Sequence, residues 1–276
     1  MRRVAFAALT LVVWRCAAAQ VGCNAPSADC APVGEWSISV SIGAGVRSNP
    51  VRENGNIPLV ALPHVSYYGK RFFLDSLDLG VFLHETDSNT LSLVATPGYD
   101  RVFFIRNDLQ NLFYSVTGDF LSADPTTAGA EGTVKVPARK PDTTYLAGPE
   151  WIFRYGKMTG QVEALREITG HHGGYEARAA LSTPLIETRG SLIASAGLTW
   201  KSAQLVRYYY GVKGHYEPGA AVNPFVKVAY ALPLSERWSF TAFANYEHLG
   251  AGIAGSPVVS QRHVLTVFSG FDFSIW

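Results

Sequence analysis

The chain has 276 residues, 47% of them hydrophobic and 16% charged, with 26 glycines and a formal net charge of +1. So even a balance offers no electrostatic footprint for nucleic acid. Beyond the N-terminal segment no apolar run is long enough for a spanning helix, which leaves spanning strands allowed, because their lipid-facing residues are interleaved with polar ones.

Arg2 and Arg3, the apolar stretch Val4 to Trp14, and Ala17-Ala18-Ala19 read as a secretory signal peptide over residues 1–19. Arg15 stands before Cys16 where a lipoprotein signal carries a small residue, so lipidation is not expected. Residues 20–34 form a periplasmic N-terminal tail with Cys23 and Cys30. With Cys16 expected to leave in the signal peptide, the two remaining cysteines in an oxidising compartment point to one disulfide closing a small loop, worth about 2.5 kcal/mol on the loop-entropy model.

From residue 35 to 276 the pattern predicts a barrel. In "WSISVSIGAGV", Trp36, Ile38, Val40, Ile42, Ala44 and Val46 share one parity and Ser or Gly fills the other. A period of two places these sets on opposite sheet faces. Strands are predicted near 35–47, 57–68, 71–84, 90–98, 101–115, 143–155, 158–169, 174–186, 189–201, 223–233, 236–248 and 262–275. The first, ninth and eleventh alternate best; the fifth alternates poorly after Ile105. A ten-residue strand rises about 33 Å, and a tilt of about 40° leaves roughly 25 Å along the membrane normal, the height of an outer-membrane apolar band.

Connections alternate in length as such barrels require. "YGKR", "PGYD", "GKM", "ETR" and "LSE" read as periplasmic turns, and 48–56, 116–142, 202–222 and 249–261 as outer loops, with shorter outer ones near 85–89 and 170–173. Trp36, Tyr155 and Trp238 fall at the inner boundary, Trp200 and Tyr246 at the outer one, where amphipathic rings favour the headgroup layer. On the polar parity stand Glu150, Arg154, Glu163, Glu167, Glu176, Arg178, Lys227 and Glu247, whose mixed signs suggest pairing across the lumen. The expected fold class is therefore all-β: a transmembrane antiparallel β-barrel of about 12 strands with short periplasmic turns. It would lie in the outer membrane of a Gram-negative bacterium, its outer wall against membrane lipids.

"GPEWIFRYGKMTGQVEALREITGHHGG" from Gly148, "RYYYGV" at Arg207 to Val212 and "AGSPVVSQRHVLTVFSGFDF" near the end resemble the MipA/OmpV family of outer-membrane proteins in order and spacing. The likeness is strongest from about residue 143, and its most specific marks are Tyr209 to Val212 and Ser256 to Val259. The resemblance implies a β-barrel. It also implies a scaffold that joins a lytic transglycosylase to a murein synthase, other members being described as adhesins. One departure is that Phe271, Phe273 and Ile275 lie on the parity opposite to the terminal Trp276, whereas such barrels end on an aromatic in phase with the residues before it.

The residues show no catalytic constellation, metal site or cofactor motif. His64 and Ser66 have the spacing used by barrel deacylases of lipid A, yet the apolar parity of Leu59, Ala61, Val65 and Tyr67 turns them inward, away from lipid. The pair His171-His172 lacks a third ligand at close spacing and reads as a solvated turn. Interaction candidates are Tyr208, Tyr209, Tyr210, Gly211 and Val212 with Ser256, Pro257 and Val258; the three tyrosines either pack a partner or sugar from an exposed loop or fold over the barrel mouth. The function expected is a scaffold or interaction protein docking its partners through the tail, the alternatives being a narrow channel for small solutes and, third, a lipid hydrolase.

Overall fold

The computed structural model describes residues 33–105 and 140–275. Twelve antiparallel strands close a barrel: β1 (Trp36–Arg47), β2 (Ile57–Tyr68), β3 (Phe72–Asp75), β4 (Asp78–Glu85), β5 (Asn89–Pro97), β6 (Tyr145–Tyr155), β7 (Met158–Glu167), β8 (Tyr175–Glu187), β9 (Ser191–Lys201), β10 (Ala221–Pro233), β11 (Trp238–His248) and β12 (His263–Ser274). A 3-10 turn (Tyr99–Phe103) follows β5, and two helices, α1 (Ala203–Tyr210) and α2 (Ala251–Ala254), sit in the outer connections.

Alternation builds the ring because each face meets a different medium. Ile42, Leu93, Leu181, Leu198, Val226 and Phe271 point outward and stay exposed, as lipid-facing residues of an isolated barrel must. Ring closure joins β1 to β12 with Gly43 opposite Gly270. A Cβ on Gly43 would lie 2.2 Å from the Ser269 carbonyl oxygen, so only glycine lets the two backbones approach at this seam. Trp36 and Tyr67 pack at 5.1 Å, and Trp238 and Phe273 at 4.8 Å, at the inner end of the wall.

The expected strand number is reached by two compensating differences. The single strand expected over 71–84 is a hairpin, with Asp75 opposite Asp78 and Ser76 in its turn at a φ of +55°. The strand expected over 101–115 is absent where it is described, since Tyr99–Phe103 is the 3-10 turn; residues 106–115 lie outside the described residues. Two connections therefore change sides. Thr86–Ser88 is at the inner end, where Arg154 donates its N–H to the Ser88 carbonyl at 2.8 Å. "PGYD" is at the outer end, since Pro97 pairs with Tyr145, the outer residue of β6.

The short hairpin leaves a free edge. β2 pairs with β3 only at Ser66–Tyr68, so among the described residues its outer part has no neighbour on that side. The Val65 carbonyl accepts the Ser76 N–H at 2.7 Å on this side. Backbone groups alternate, so Pro63 faces the same edge, as does Pro58 beyond the bulge near Ile42 and Gly45. Proline has no N–H, so these two positions present no unpaired donor at membrane depth.

Candidate functional site

Among the described residues, buried side chains pack into the lumen from both sides. On the side formed by β2, β11 and β12, Ile57, Leu59, Leu62, Phe243 and Phe268 make an apolar cluster, with the Phe243 and Phe268 rings stacked at 5.6 Å. On the opposite side, β6 to β9 carry a chain of charges that the strand register assembles. Glu150 faces Glu163, Glu163 faces Arg178, and Glu176 faces Lys201. Two carboxylates directly opposite each other repel. Here the Gln161 amide relieves the clash by donating to Glu150 at 2.8 Å and Glu163 at 2.6 Å. Arg178 then joins Glu163 at 3.3 Å to Glu176 at 2.6 Å.

The chain continues into the outer plug through two residues that sequence reasoning missed, Lys201 and Asp100. Lys201 Nζ lies 2.5 Å from Asp100 Oδ2 and 3.9 Å from Glu176 Oε2, and the Tyr210 hydroxyl donates to Asp100 Oδ1 at 2.6 Å. Asp100 belongs to the "PGYD" stretch expected in the periplasm; at the outer end it meets β9 and α1 instead.

α1 starts because Ser202 caps it, accepting the Leu205 N–H at 3.5 Å and also that of Tyr175 at 2.9 Å. Leu205, Val206, Tyr209 and Tyr210 fall on one helical face and are buried. They pack with Val102, Leu146, Ile253, Val259 and others as a continuous apolar core across the mouth. The Tyr209 hydroxyl lies 2.9 Å from Thr144 Oγ1, and Ser256 Oγ donates to the Tyr210 carbonyl at 2.5 Å. Burial pushes both phenols well above their ordinary value, so they remain neutral hydroxyls.

The interaction candidates therefore divide. Tyr209, Tyr210, Gly211, Ser256 and Val258 are buried in the plug, Val212 and Pro257 are half-buried, and Tyr208 alone of the three tyrosines keeps an accessible ring. The exposed-loop alternative is corrected for Tyr209 and Tyr210, because their helix turns them toward Asp100 and Thr144. Of the lumen candidates, Glu150, Glu163, Glu176 and Arg178 lie in the charge chain. Glu247 accepts from Asn223 Nδ2 at 2.7 Å, Lys227 sits 5.8 Å from the Phe243 ring, and Arg154 has lumen parity but is exposed at the inner end of β6. Glu167 instead organises the β7–β8 loop, accepting the N–H groups of Thr169 at 2.6 Å, His172 at 3.1 Å and Gly173 at 2.8 Å. Cys23, Cys30 and Trp276 lie outside the described residues.

His64 meets a serine other than Ser66. Its Nδ1 is 3.1 Å from Ser76 Oγ and 3.6 Å from Asp75 Oδ1, while Tyr68 donates to Asp75 at 2.7 Å. A nucleophilic relay needs serine and carboxylate on opposite ring nitrogens. Both crowd Nδ1 here, so the arrangement is a polar hairpin tip and supplies no relay. Among the described residues no group of three or more His, Cys, Asp or Glu side chains could hold a metal ion.

Outside the plug, α1, the β7–β8 loop and residues 140–142 enclose an open cleft of about 500 Å³. Its walls include His171, His172, Arg207 and Tyr208.

A closed ring of strands, ten of them nine residues or longer, with an apolar exterior and a charge-lined interior defines an outer-membrane β-barrel. The chain belongs to the family described as MltA-interacting protein MipA, whose model matches residues 40–275. It is similar to the putative outer membrane protein YiaT of Escherichia coli K12, 24% identical over 246 residues that cover 85% of this chain and 90% of that protein. It is also similar to outer membrane protein OmpV of Vibrio cholerae, 25% identical over 171 residues covering 59% of this chain and 65% of that one. Among solved structures, the anion-selective porin from Comamonas acidovorans superposes with a TM-score of 0.41 and 6% identity, covering 87% of this chain and 99% of the porin.

Proposed function

We propose that the protein is a non-enzymatic, non-conducting barrel that anchors periplasmic murein enzymes at the outer membrane. The observation that carries this reading is the filled lumen: an apolar plug of α1, α2 and the 3-10 turn stands over the chain from Glu150 to Asp100. On this reading the barrel acts through its surfaces, and the family's name refers to interaction with MltA, a lytic transglycosylase by the resemblance drawn above. On the periplasmic side the described connections are tight turns, such as Gly156–Lys157 between β6 and β7. The tail over residues 20–34 is thus the element with length enough to dock a partner.

The test is capture of a lytic transglycosylase and a murein synthase from detergent-solubilised envelopes by the full chain and by a form lacking residues 22–33. The full chain retains both enzymes and the deletion loses them, while its barrel remains heat-modifiable on gels. Equal capture by both forms rejects the tail, and capture by neither rejects the anchor. Planar bilayer recordings separate the channel alternative: silence is expected, and a steady open level would favour the channel.

A further inference from the structure

The cleft on the outer face is made by segments far apart in sequence, and its floor is held rigid. The Glu167 carboxylate fixes the β7–β8 loop through three backbone N–H groups, and Gly170 and Gly173 adopt left-handed φ values of +82° and +59° to close around it. Tyr209, locked by Thr144, supports the rings above. Tyr208 stands edge-on to Tyr209 with centroids 4.9 Å apart, and the His172 ring lies 5.2 Å from Tyr208. The result is a pre-formed aromatic wall, the kind of surface that binds with little ordering cost.

The polar groups on this wall are mostly donors. Tyr208 accepts the Asp142 N–H at 3.1 Å, which leaves its own hydroxyl hydrogen to give. Gly174 donates to His172 Nδ1 at 2.9 Å, which assigns the proton of the neutral ring to Nε2. That Nε2 is buried with no partner among the described residues, so it lies behind the wall, and the donors open to the cleft are Tyr208, Arg207 and Lys140. Arg207 is 56% exposed and only loosely paired, 4.0 Å from Glu217. Lys140 adds a second exposed cation. Two carboxylates act against these cations, Glu217 beside Arg207 and Asp142 at 3.6 Å from His171.

We infer that the outer cleft binds an anionic sugar, a pyranose bearing a carboxylate or phosphate. Its apolar ring face lies against Tyr208, and its anionic group pairs with Arg207 and Lys140. A volume of about 500 Å³ suits one or two sugar rings. An excess of donors selects an acceptor-rich ligand, and the guanidinium fork matches carboxylate and phosphate in plane. Two sources carry this chemistry at the cell surface, the core sugars of lipopolysaccharide beside the barrel and free acidic saccharides from outside. The site faces away from the periplasm and does not depend on the anchoring role proposed above.

The experiment is calorimetric titration of the full chain in detergent with D-glucuronate, glucose 6-phosphate, delipidated lipopolysaccharide core oligosaccharide, uncharged glucose and inorganic phosphate. Glucuronate and glucose 6-phosphate bind, and glucose binds at least about tenfold more weakly. Arg207→Gln lowers the affinity for the charged sugars by about tenfold, and Arg207→Lys by less. Tyr208→Leu, which keeps the apolar bulk over the plug, removes most of the binding, while Tyr208→Trp retains it. All variants keep the heat-modifiable barrel. Tighter binding of the core oligosaccharide than of glucuronate assigns the source as lipopolysaccharide; the reverse order assigns free saccharides. Binding of no charged sugar by the native chain, equal affinity for glucose, equal affinity for inorganic phosphate and glucose 6-phosphate, or unchanged affinity in both Arg207→Gln and Tyr208→Leu would overturn the inference.

Discussion

Replacing Lys201 by methionine removes the one cation within 4 Å of Asp100 among the described residues while roughly preserving side-chain length. Its side chain is 11% exposed and that of Asp100 is 3% exposed, so the carboxylate would be left in a dry site with only the Tyr210 hydroxyl to hold it. Breaking one partner out of a buried ion pair typically costs about 3–5 kcal/mol. The pair ties the 3-10 turn to β9 and α1, whereas the barrel hydrogen bonds do not run through it. The loss should therefore fall on closure of the plug, raising its open population by roughly two to three and a half orders of magnitude. In planar bilayers Lys201→Met is expected to conduct more often than the native chain, with the barrel still heat-modifiable. The double variant Lys201→Met with Asp100→Leu removes both charges and should return most of the closure, because an apolar pair of similar volume is often no worse than the ion pair. A Lys201→Met protein as silent as the native chain would refute the assignment of this pair as the latch of the plug.

Ser202→Ala removes the acceptor shared by the Leu205 and Tyr175 N–H groups, and should lower the urea midpoint by an amount worth about 1–2 kcal/mol; an unchanged midpoint would show that the cap is dispensable. Burial pulls His172 below the ordinary imidazole value of 6.5, outweighing the Glu167, Asp100 and Glu176 carboxylates that act in the other direction. The folded loop thus refuses a proton that the opened loop accepts, so its stability is full above that value and falls as pH drops through it. Protection factors of the residue 168–174 amides, taken against the intrinsic rate at each pH, should fall toward about pH 5, and constant protection would contradict this. Pro63→Ala puts an N–H on the free edge of β2 and should destabilise the detergent-solubilised barrel by about 1–3 kcal/mol, read from its denaturant midpoint; a gain would mean that the edge is covered. Gly43→Val places a side chain against the Ser269 carbonyl at the closing seam, so the heat-modifiable band should disappear, and normal assembly would disprove the tight approach.

The barrel was legible because lipid and lumen impose opposite demands on alternate residues, which β1 obeys without interruption and β9 and β11 obey except at Ile193 and Phe243. The hairpin of β3 and β4 was not, because Asp75-Ser76-Leu77-Asp78 carries no Gly, Pro or Asn, and Ser76 takes a left-handed conformation that sequence alone gives no reason to expect. Misreading that turn also hid Asp100, which moves from the inner to the outer end once the strands are counted correctly. Its partner Lys201 lies 101 residues away, a separation no local pattern spans. The plug helix had a signal that went unused. Ser202 is an N-cap residue, and Leu205, Val206, Tyr209 and Tyr210 repeat at helical spacing, so the "RYYYGV" stretch reads better as the end of a capped amphipathic helix than as an open loop. Parity alone puts Glu150, Glu163, Glu176 and Arg178 on one strand face, but their connection through Gln161 depends on register, which the turn lengths do not set.

The architecture also constrains how the mouth can open. α1 has eight residues, fewer than an isolated helix needs to persist in water. Its apolar face is stabilised by Leu146, Val102 and Ile253, and its end is held by Asp100 and Ser256, so it has no folded existence away from the barrel. The plug therefore cannot swing aside as a rigid lid; opening requires α1 to unwind. A weakened latch such as Lys201→Met should then give brief, irregular currents of many amplitudes, as a disordered segment wanders through the mouth. One repeatable conductance step would instead demand a second folded position for the helix, and nothing in its length or packing could sustain one.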